Sequence, residues 1–270
     1  MSWNETVVAN SLAGEANRRG LECRLRKPYY IMVKRTVNDK ELTNMFLFDA
    51  HVHTAESSKC AKWSGAEAAE AYAAKGYSGI IVTDHFVNGN TRADRTAPWE
   101  EQVAVAMAGY KAAKARGDEI GLKVFFGFES ANDGAEFLTY GLDEEWLLKH
   151  PESAQLPMKE YLALVRSEGA FVVHAHPFRR SRHPRCMHLF PGGVDAVEIV
   201  NFGNLDVDNH LAKVYAEAYG LPMTAGSDSH NFGDIRDFVV GTDTPIESVA
   251  DYIERIKQGR LTLPSAELKA

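Results

Sequence analysis

The chain has 270 residues, of which 45% are hydrophobic and 25% charged, an ordinary composition for a folded protein that excludes disorder throughout. Its formal net charge of −7 argues against non-specific electrostatic binding to nucleic acid, because such binding depends on clustered Lys and Arg. A small substrate is favoured instead. The three cysteines form no C-x-x-C pair, and neither a signal peptide nor a long apolar span is evident, so the sequence predicts a cytoplasmic protein without a disulfide framework.

The first 44 residues are predicted to be an appendage. They show little sustained periodicity and carry a basic cluster between Arg18 and Lys27. One hypothesis is that Met45, where the first clear strand begins, is the true translation start. The chain is therefore divided into an N-terminal extension (1–44), a single barrel domain (45–260) and a C-terminal tail (261–270).

From Met45 onward, short apolar runs alternate with longer helical windows, the pattern of repeated βα units around a parallel sheet. Seven or eight strands are predicted, at 46–49, 79–83, 123–128, 137–140, 170–173, 196–200, 222–225 and 238–240. Five helices are predicted, at 64–76, 98–117, 156–169, 206–220 and 245–259, each with a glycine at or just past its end. Ser64, Asp206 and Thr244 are the expected helix N-caps. One closed or nearly closed α/β barrel is the predicted fold.

Histidines and acids directly follow five of the predicted strands, at the carboxyl ends where barrel enzymes keep their chemistry. They are His51 and His53, Asp84 and His85, Glu129, His174 and His176, and Asp228 and His230. Because five strand ends carry such residues on one face of a barrel, the sequence predicts a polynuclear metal site. The set of nitrogen and oxygen ligands suits zinc, manganese or iron.

Taken one at a time, these pairs have ordinary interpretations as well. Residues two apart in an extended segment point to the same side, so His51 and His53 can address one ion, but histidines are also found satisfied at strand ends. Asp84 is compatible with a cap of the following turn. Glu129, after an apolar run, needs cationic partners, whereas Glu198 is read equally well as a ligand or as a hydrogen-bonded structural acid.

An arginine-rich run follows the fifth predicted strand. The sequence FRRSRHPR places Arg179, Arg180 and Arg182 beside the predicted ligands, and all three are candidates for binding substrate. A guanidinium binds phosphate in a forked, bidentate manner, and Arg179 is the first choice for that role. The alternative is a solvated loop.

The motifs HVHT, TDHF, GFES, HAHPFR and GSDSH, in that order, closely resemble the motif series of the PHP (polymerase and histidinol phosphatase) superfamily over roughly residues 45–257. The Asp-His after the second strand and the closing G-S-D-x-H distinguish this series from that of the amidohydrolases, which also begin with H-x-H. The resemblance implies a distorted (β/α)7 TIM-like barrel with two or three divalent metal ions that hydrolyses phosphate esters.

The resemblance also implies roles for individual residues. It makes His51, His53, Glu129 and Asp228 the ligands of a first ion with Glu129 bridging, His176 a ligand of a second ion, and His85 and His230 ligands of a third, with Asp84 orienting an imidazole. Glu129, His176 and Asp228 are the expected catalytic residues.

Two departures from the family pattern bear on the number of ions. Members with three ions have a further histidine soon after the H-x-H, whereas this chain reads TAESSKCAKW and offers Glu56 or Cys60. The strand after the glutamate often carries a histidine, whereas here it reads EFLTYGL. Either His174 is the substitute for that missing ligand, or the second ion binds more water.

The expected function is hydrolysis of a small phosphorylated substrate, of the nucleotide, sugar or histidinol phosphate type, by a metal-bound hydroxide. One alternative is a nuclease or nucleic-acid accessory domain, although a polymerase region and extensive basic stretches are absent from the sequence. Another is an amidohydrolase-like enzyme that cleaves a carbon–nitrogen or ester bond.

Overall fold

The computed structural model describes residues 45–180 and 187–268. The predicted extension over residues 1–44 lies outside the described residues, as does Arg182 of the arginine-rich run. Within the two described ranges, no helix is both long and apolar enough to cross a lipid bilayer.

The described chain contains eight strands and six α-helices. The strands are β1 (Phe46–Val52), β2 (Tyr77–Val82), β3 (Lys123–Asn132), β4 (Ala135–Tyr140), β5 (Phe171–Ala175), β6 (Ala196–Asn201), β7 (Met223–Gly226) and β8 (Val240–Thr242). The α-helices are α1 (Gly65–Ala74), α2 (Trp99–Ile120), α3 (Glu144–Lys149), α4 (Met158–Ser167), α5 (Asp206–Tyr219) and α6 (Val249–Lys257). Every predicted strand and helix overlaps an observed one, and α3 is an additional short helix.

All eight strands belong to one sheet, in the order β7-β6-β5-β4-β3-β2-β1-β8. The pairs β1–β2, β2–β3, β5–β6 and β6–β7 are parallel, as βα units require. β4 is antiparallel to both of its neighbours. The cause is the two-residue turn Asp133-Gly134, where φ is 50° and 86°, as in a type I′ hairpin turn. A hairpin thus replaces one helical crossover.

The sheet curls into a nearly closed barrel because two partners pair with the edge of β1 that does not face β2. The start of β1 pairs with β8, with Phe46 opposite Thr242. The end of β1 is bridged in parallel by the chain just after β7, where Val52 lies opposite Ser229. The predicted distorted α/β barrel is confirmed, and its distortion arises from the antiparallel β4 and from this divided edge.

Local sequence fixes the start of the first and last helices of the described chain. At α1, Ser64 Oγ accepts a hydrogen bond from the Glu67 backbone N–H, and Glu67 accepts one from the Ser64 N–H, forming a capping box. At α6 the N-cap is Ser248, whose Oγ accepts from the Asp251 N–H, and not the predicted Thr244. The predicted N-cap Ser64 is confirmed. Helix α6, in contrast, begins later than the sequence pattern indicates.

Apolar side chains occupy the body of the barrel and the layer between sheet and helices. One cluster joins strand residues such as Phe48, Ile80 and Val197 to Tyr72 of α1. A second lies between the β4–β5 region and α4 and includes Phe137. Since apolar packing fills these layers, the buried polar side chains are concentrated at the carboxyl end of the barrel.

Candidate metal centre

Seven predicted ligands meet at the carboxyl ends of the strands. They are His51 in β1, His53 just after it, His85 after β2, Glu129 in β3, His176 directly after β5, and Asp228 and His230 after β7. All are buried except His230, which is partly exposed. The sequence reasoning therefore placed these seven side chains together correctly, although which of them bind an ion stays a prediction.

Four of these side chains form an inner group with the spacing of ligands around one cation. His51 Nε2 lies 3.1 Å from His53 Nε2, and Asp228 Oδ1 lies 3.5 and 3.2 Å from these two nitrogens. The Glu129 carboxylate lies 3.4 Å from His51 Nε2 and 3.5 Å from His53 Nε2. A tetrahedral zinc ion with bonds of about 2.0 to 2.1 Å holds its ligand atoms roughly 3.3 to 3.4 Å apart. The inner group therefore fits a divalent cation.

Glu129 is the hub of the cluster because each of its oxygens faces different imidazoles. Oε1 lies 3.1 Å from His176 Nε2, and Oε2 lies 2.8 Å from His85 Nδ1. That short contact with His85 is not a hydrogen bond, and among the residues that the structure describes the buried Nδ1 has no hydrogen-bond partner. Two ligand atoms directed at a common ion, and not at each other, have this arrangement. A carboxylate so placed is able to bridge two cations.

His53, His85 and His230 form an outer group, with a ring nitrogen of each within 4.8 Å of the others. The half-buried Cys60 lies beside His230 and His85: burial raises the pKa of its thiol, but hydrogen bonds from these two rings outweigh that effect and bring the pKa to about 6. Glu56, the other acid or thiol noted in this segment, instead accepts the Gly65 N–H at the start of α1. Of the two side chains, Cys60 is therefore the one beside the outer group.

Glu136, at the start of β4, is a cluster residue that the sequence reasoning missed. The strand register places it opposite Ala175, the neighbour of His176. Its Oε2 lies 3.5 Å from His176 Nε2, and it falls within 4.8 Å of ligand atoms of Glu129 and His85. The available signal was its position as the acid of EFLTYGL, two residues after the Asp-Gly turn.

Glu198 in β6 orients two of the cluster histidines. Its Oε1 lies 2.8 Å from His51 Nδ1, and its Oε2 accepts hydrogen bonds from the His176 backbone N–H at 3.0 Å and from Asn201 Nδ2 at 2.9 Å. Of the two interpretations that the sequence left open, the hydrogen-bonded acid is the one seen. A carboxylate behind a ligating imidazole fixes the tautomer and direction of the ring.

Asp84 is not placed as a ligand, which corrects the prediction that included it among the metal-binding residues. Its Oδ1 accepts hydrogen bonds from the Thr54 N–H and Ser58 Oγ, and its Oδ2 accepts one from Thr54 Oγ1, each at 2.6 Å. Burial raises its pKa to about 6 against these hydrogen bonds. Ser58 Oγ in turn lies 3.3 Å from His53 Nδ1. Asp84 therefore supports the loop that orients His53.

His174 does not reach the cluster, which is a second correction. In β5, Phe171 and Val173 share one apolar cluster, whereas the ring of His174 faces the opposite side of the sheet and stacks on Phe137 at 5.4 Å between ring centroids. His176 does not follow the alternation of side chains along β5, because the strand ends at Ala175 and the φ of 29° at His176 turns the chain. The two histidines therefore point to different layers, and His174 is not the substitute for the missing ligand.

Arg179 is the arginine of the run that reaches the cluster. Its Nη2 donates hydrogen bonds to Asp228 Oδ2 and, at 2.7 Å, to Asn201 Oδ1, while its Nε donates to Asn204 Oδ1 at 2.9 Å. Its side chain is 30% exposed. Arg180 Nε instead donates to Asp208 of α5 at 3.0 Å, away from the cluster.

The carboxylates of the cluster are held in their charged form. Burial raises the pKa of Glu129, but His85 and His51 outweigh it and hold that pKa well below the ordinary value. His51 likewise outweighs burial at Asp228, whose pKa is also lowered. Conversely, Glu198 and Asp228 raise the pKa of His51 well above its ordinary value although burial opposes this. Since a cation and a proton compete for the same nitrogen, metal binding would release protons here.

Comparisons with known proteins identify relatives of the fold. Residues 207–261 match the PHP_C family model, which is described as PHP-associated. The chain matches no curated protein. Among solved structures, it is similar to a two-domain protein from Bacteroides vulgatus that contains a predicted PHP-like metal-dependent phosphoesterase, with 14% identity and a TM-score of 0.56 over 80% of this chain and 64% of that one. The chain thus spans less than two thirds of the Bacteroides protein.

Two further structures share the fold. An amidohydrolase from Chromobacterium violaceum with bound sulfate and no metal has 15% identity and a TM-score of 0.53, over 81% of this chain and 98% of that one. PsfC from Pseudomonas syringae has 18% identity and a TM-score of 0.52, over 78% of this chain and 88% of that one. At these identities the likeness establishes the barrel fold.

Proposed function

We propose that this chain, a PHP superfamily protein by its motif series, its PHP-associated segment and its fold, is a metal-dependent hydrolase that acts on small phosphate esters. The coarser part of this proposal, metal-dependent hydrolysis, is supported by the cluster of imidazoles and carboxylates at the carboxyl end of the barrel. The substrate class is the finer part, and it depends on the surroundings of that cluster.

The observation that carries the phosphate assignment is the position of Arg179. Its guanidinium is hydrogen-bonded to Asp228, one of the four inner ligands, and nearly a third of its side chain is exposed. A substrate that approaches the inner group from solvent therefore meets a fixed cation. A guanidinium beside metal ligands favours a doubly charged phosphate group over a neutral amide or ester.

Divalent cations bound by these residues would supply Lewis acidity, which makes water more acidic and offsets negative charge on a phosphoryl group. The chain's own side chains supply orientation. Glu198 and Ser58 hold the rings of His51 and His53, and Asn201 and Asn204 hold the guanidinium of Arg179. With both rings and the guanidinium fixed before substrate arrives, little reorganisation is needed during the reaction.

A second candidate is hydrolysis of a carbon–nitrogen or ester bond. The barrel shared with the amidohydrolase from Chromobacterium violaceum favours keeping it as an alternative. The two candidates differ in their need for Arg179, because a neutral carbonyl substrate brings no dianion for the guanidinium to bind.

The test combines metal content with turnover. Protein purified without chelator and without a nickel column is assayed for bound metals by elemental analysis and for phosphate release from nucleotide and sugar phosphates. We expect two or three ions per chain, and we expect His51→Ala to lose both metal and activity. His150→Ala is the matched control, since within the described ranges the ring of His150 contacts Glu152 and Trp146, neither of which belongs to the cluster.

Wild-type protein that binds no divalent metal, or that binds metal and hydrolyses amides while ignoring phosphate esters, would contradict the proposal. The first outcome rejects the metal-dependent hydrolase as a whole. The second rejects the phosphate assignment alone.

A further inference from the structure

We infer that Glu136 is a metal ligand and that, with His176 and Glu129, it forms an oxygen-rich cation position that prefers zinc over manganese less strongly than the inner group does. The inference rests on the proposed function, because it assigns a ligand and a metal preference within the same cluster. The sequence motifs did not indicate it, since the expected substitute for a missing ligand was His174.

The strand register brings Glu136 to the cluster. β4 is antiparallel to both β3 and β5, with Glu136 opposite Ala131 on one side and opposite Ala175 on the other. The residue after Ala175 is His176, whose left-handed backbone turns its ring towards the same end of the barrel. A hairpin strand therefore contributes a side chain that a helical crossover would have placed elsewhere.

The distances around His176 have the form of a ligand group. Its Nε2 lies 3.1 Å from Glu129 Oε1 and 3.5 Å from Glu136 Oε2. Two carboxylates thus face one imidazole nitrogen, and a single proton on that nitrogen cannot be shared well between them. A divalent cation at this point would be bound by all three side chains.

The charges around Glu136 also support a bound cation. Its carboxylate lies within 4.8 Å of that of Glu129, a like-charged pair that a shared cation would stabilise. Within the described part of the chain, the ion pair formed by Glu136 is with His176, and Arg179 is bound to Asp228. The Glu136 side chain is one-third exposed, so an ion at this position would be open to solvent and substrate.

The ligand types set the expected metal preference. Manganese and magnesium favour carboxylate and water oxygens, whereas imidazole is a good ligand for zinc. The inner group offers two imidazoles and two carboxylates, while the position at Glu136 offers one imidazole, that of His176, and two carboxylates. The position at Glu136 is therefore expected to discriminate less strongly in favour of zinc than the inner group does.

The experiment measures metal binding directly on the full chain. Metal-free wild type, Glu136→Gln, Glu136→His and the control Glu160→Gln are titrated separately with Mn²⁺ and Zn²⁺ in competition with a chromogenic chelator, and bound metal is counted by elemental analysis. Glu160 is an exposed acid of α4, so its variant makes the same charge change away from the cluster.

We expect Glu136→Gln to weaken one Mn²⁺ equivalent by at least about tenfold while the remaining equivalents are retained. Glu136→His should shift the same equivalent towards Zn²⁺, and this gain of preference cannot come from a misfolded protein. Glu160→Gln should match wild type. Thermal unfolding of the metal-free proteins checks that the variants fold.

Unchanged Mn²⁺ and Zn²⁺ binding in both Glu136 variants, beside a wild type that binds two or more ions, would overturn this inference and leave the proposed function intact. A wild type that binds neither metal would overturn both. Loss of every equivalent in Glu136→Gln, with normal unfolding, would also count against a ligand confined to one position.

Discussion

Glu198 and His51 face each other across the barrel, with Oε1 of the carboxylate 2.8 Å from Nδ1 of the ring, and both side chains are fully buried. The other ring nitrogen, Nε2, faces His53, Glu129 and Asp228. One end of the imidazole is therefore occupied by a structural partner, and the other end is free to be a ligand.

Replacement of this partner should weaken metal binding more than it weakens the fold. Glu198→Gln keeps the shape of the side chain but removes the charge that fixes the His51 ring, so we expect metal affinity to fall roughly 10- to 100-fold. Chelator competition measures the change. Glu168→Gln, an exposed acid at the end of α4, is the control, and equal affinity in the two variants would argue against an orienting role.

Arg179 should matter for phosphate substrates in particular. A charge-assisted hydrogen bond contributes about 1.5 to 3 kcal/mol, so Arg179→Lys should lower kcat/KM for phosphate esters by roughly 10- to 150-fold with metal content retained. Arg180→Lys should change kcat/KM little, because its Nε is bonded to Asp208. An Arg179 variant that retains full phosphatase activity would remove the main support for the phosphate assignment.

His174, whose ring lies outside the metal cluster, should make the protein acid-sensitive. Burial lowers its pKa to about 3, whereas the unfolded chain titrates near 6.5. The unfolded state therefore binds a proton first as the pH falls, so stability is full above pH 6.5 and declines between 6.5 and 3, by about 1.4 kcal/mol per unit in the limit of a single such group.

The variant His174→Phe tests that decline. In metal-free protein, the loss of unfolding free energy between pH 6.5 and 5 should be smaller in the variant than in wild type by about 2 kcal/mol. Urea denaturation at the two pH values measures it, and the difference within each protein cancels any change in packing. His150→Ala, at a partly exposed ring, should keep the wild-type loss; an unchanged loss in His174→Phe would contradict the expectation.

Gly226 is required by a close approach at the end of β7. A Cβ at this position would overlap Glu198 Oε1 and lie 2.5 Å from the Cβ of His51. Gly226→Ala should therefore displace the pair described above, with a loss of bound metal and a destabilisation of about 1 to 3 kcal/mol. Gly192→Ala is the control, since a Cβ there would have open space. Normal metal content in Gly226→Ala would show that the pair tolerates displacement.

The sequence predicted the barrel well because each strand is a short apolar run and each helix carries its own periodicity. It did not predict that β4 runs antiparallel, although the Asp133-Gly134 turn was legible as a hairpin signal. The antiparallel register brings Glu136 to the cluster. Because the hairpin turn was not predicted, Glu136 was not predicted as a cluster residue either.

The errors at the site have local physical causes. The rule that residues two apart share a face failed for His174 and His176 because the strand ends at Ala175 and His176 has a positive φ. Asp84 was grouped with the ligands because it directly precedes His85, but its oxygens are used by Thr54 and Ser58. Such hydrogen bonds link segments distant in sequence, and no spacing rule predicts them.

The backbone at His176 and Asp228 has a consequence for any attempt to engineer this protein. Both residues have positive φ, 29° and 57°, a conformation that costs side-chain-bearing residues free energy and that glycine or asparagine adopts more easily. A search for heat-tolerant variants that scores stability alone would therefore select substitutions at these two positions early. Selection for thermostability alone would therefore tend to remove the predicted metal ligands His176 and Asp228.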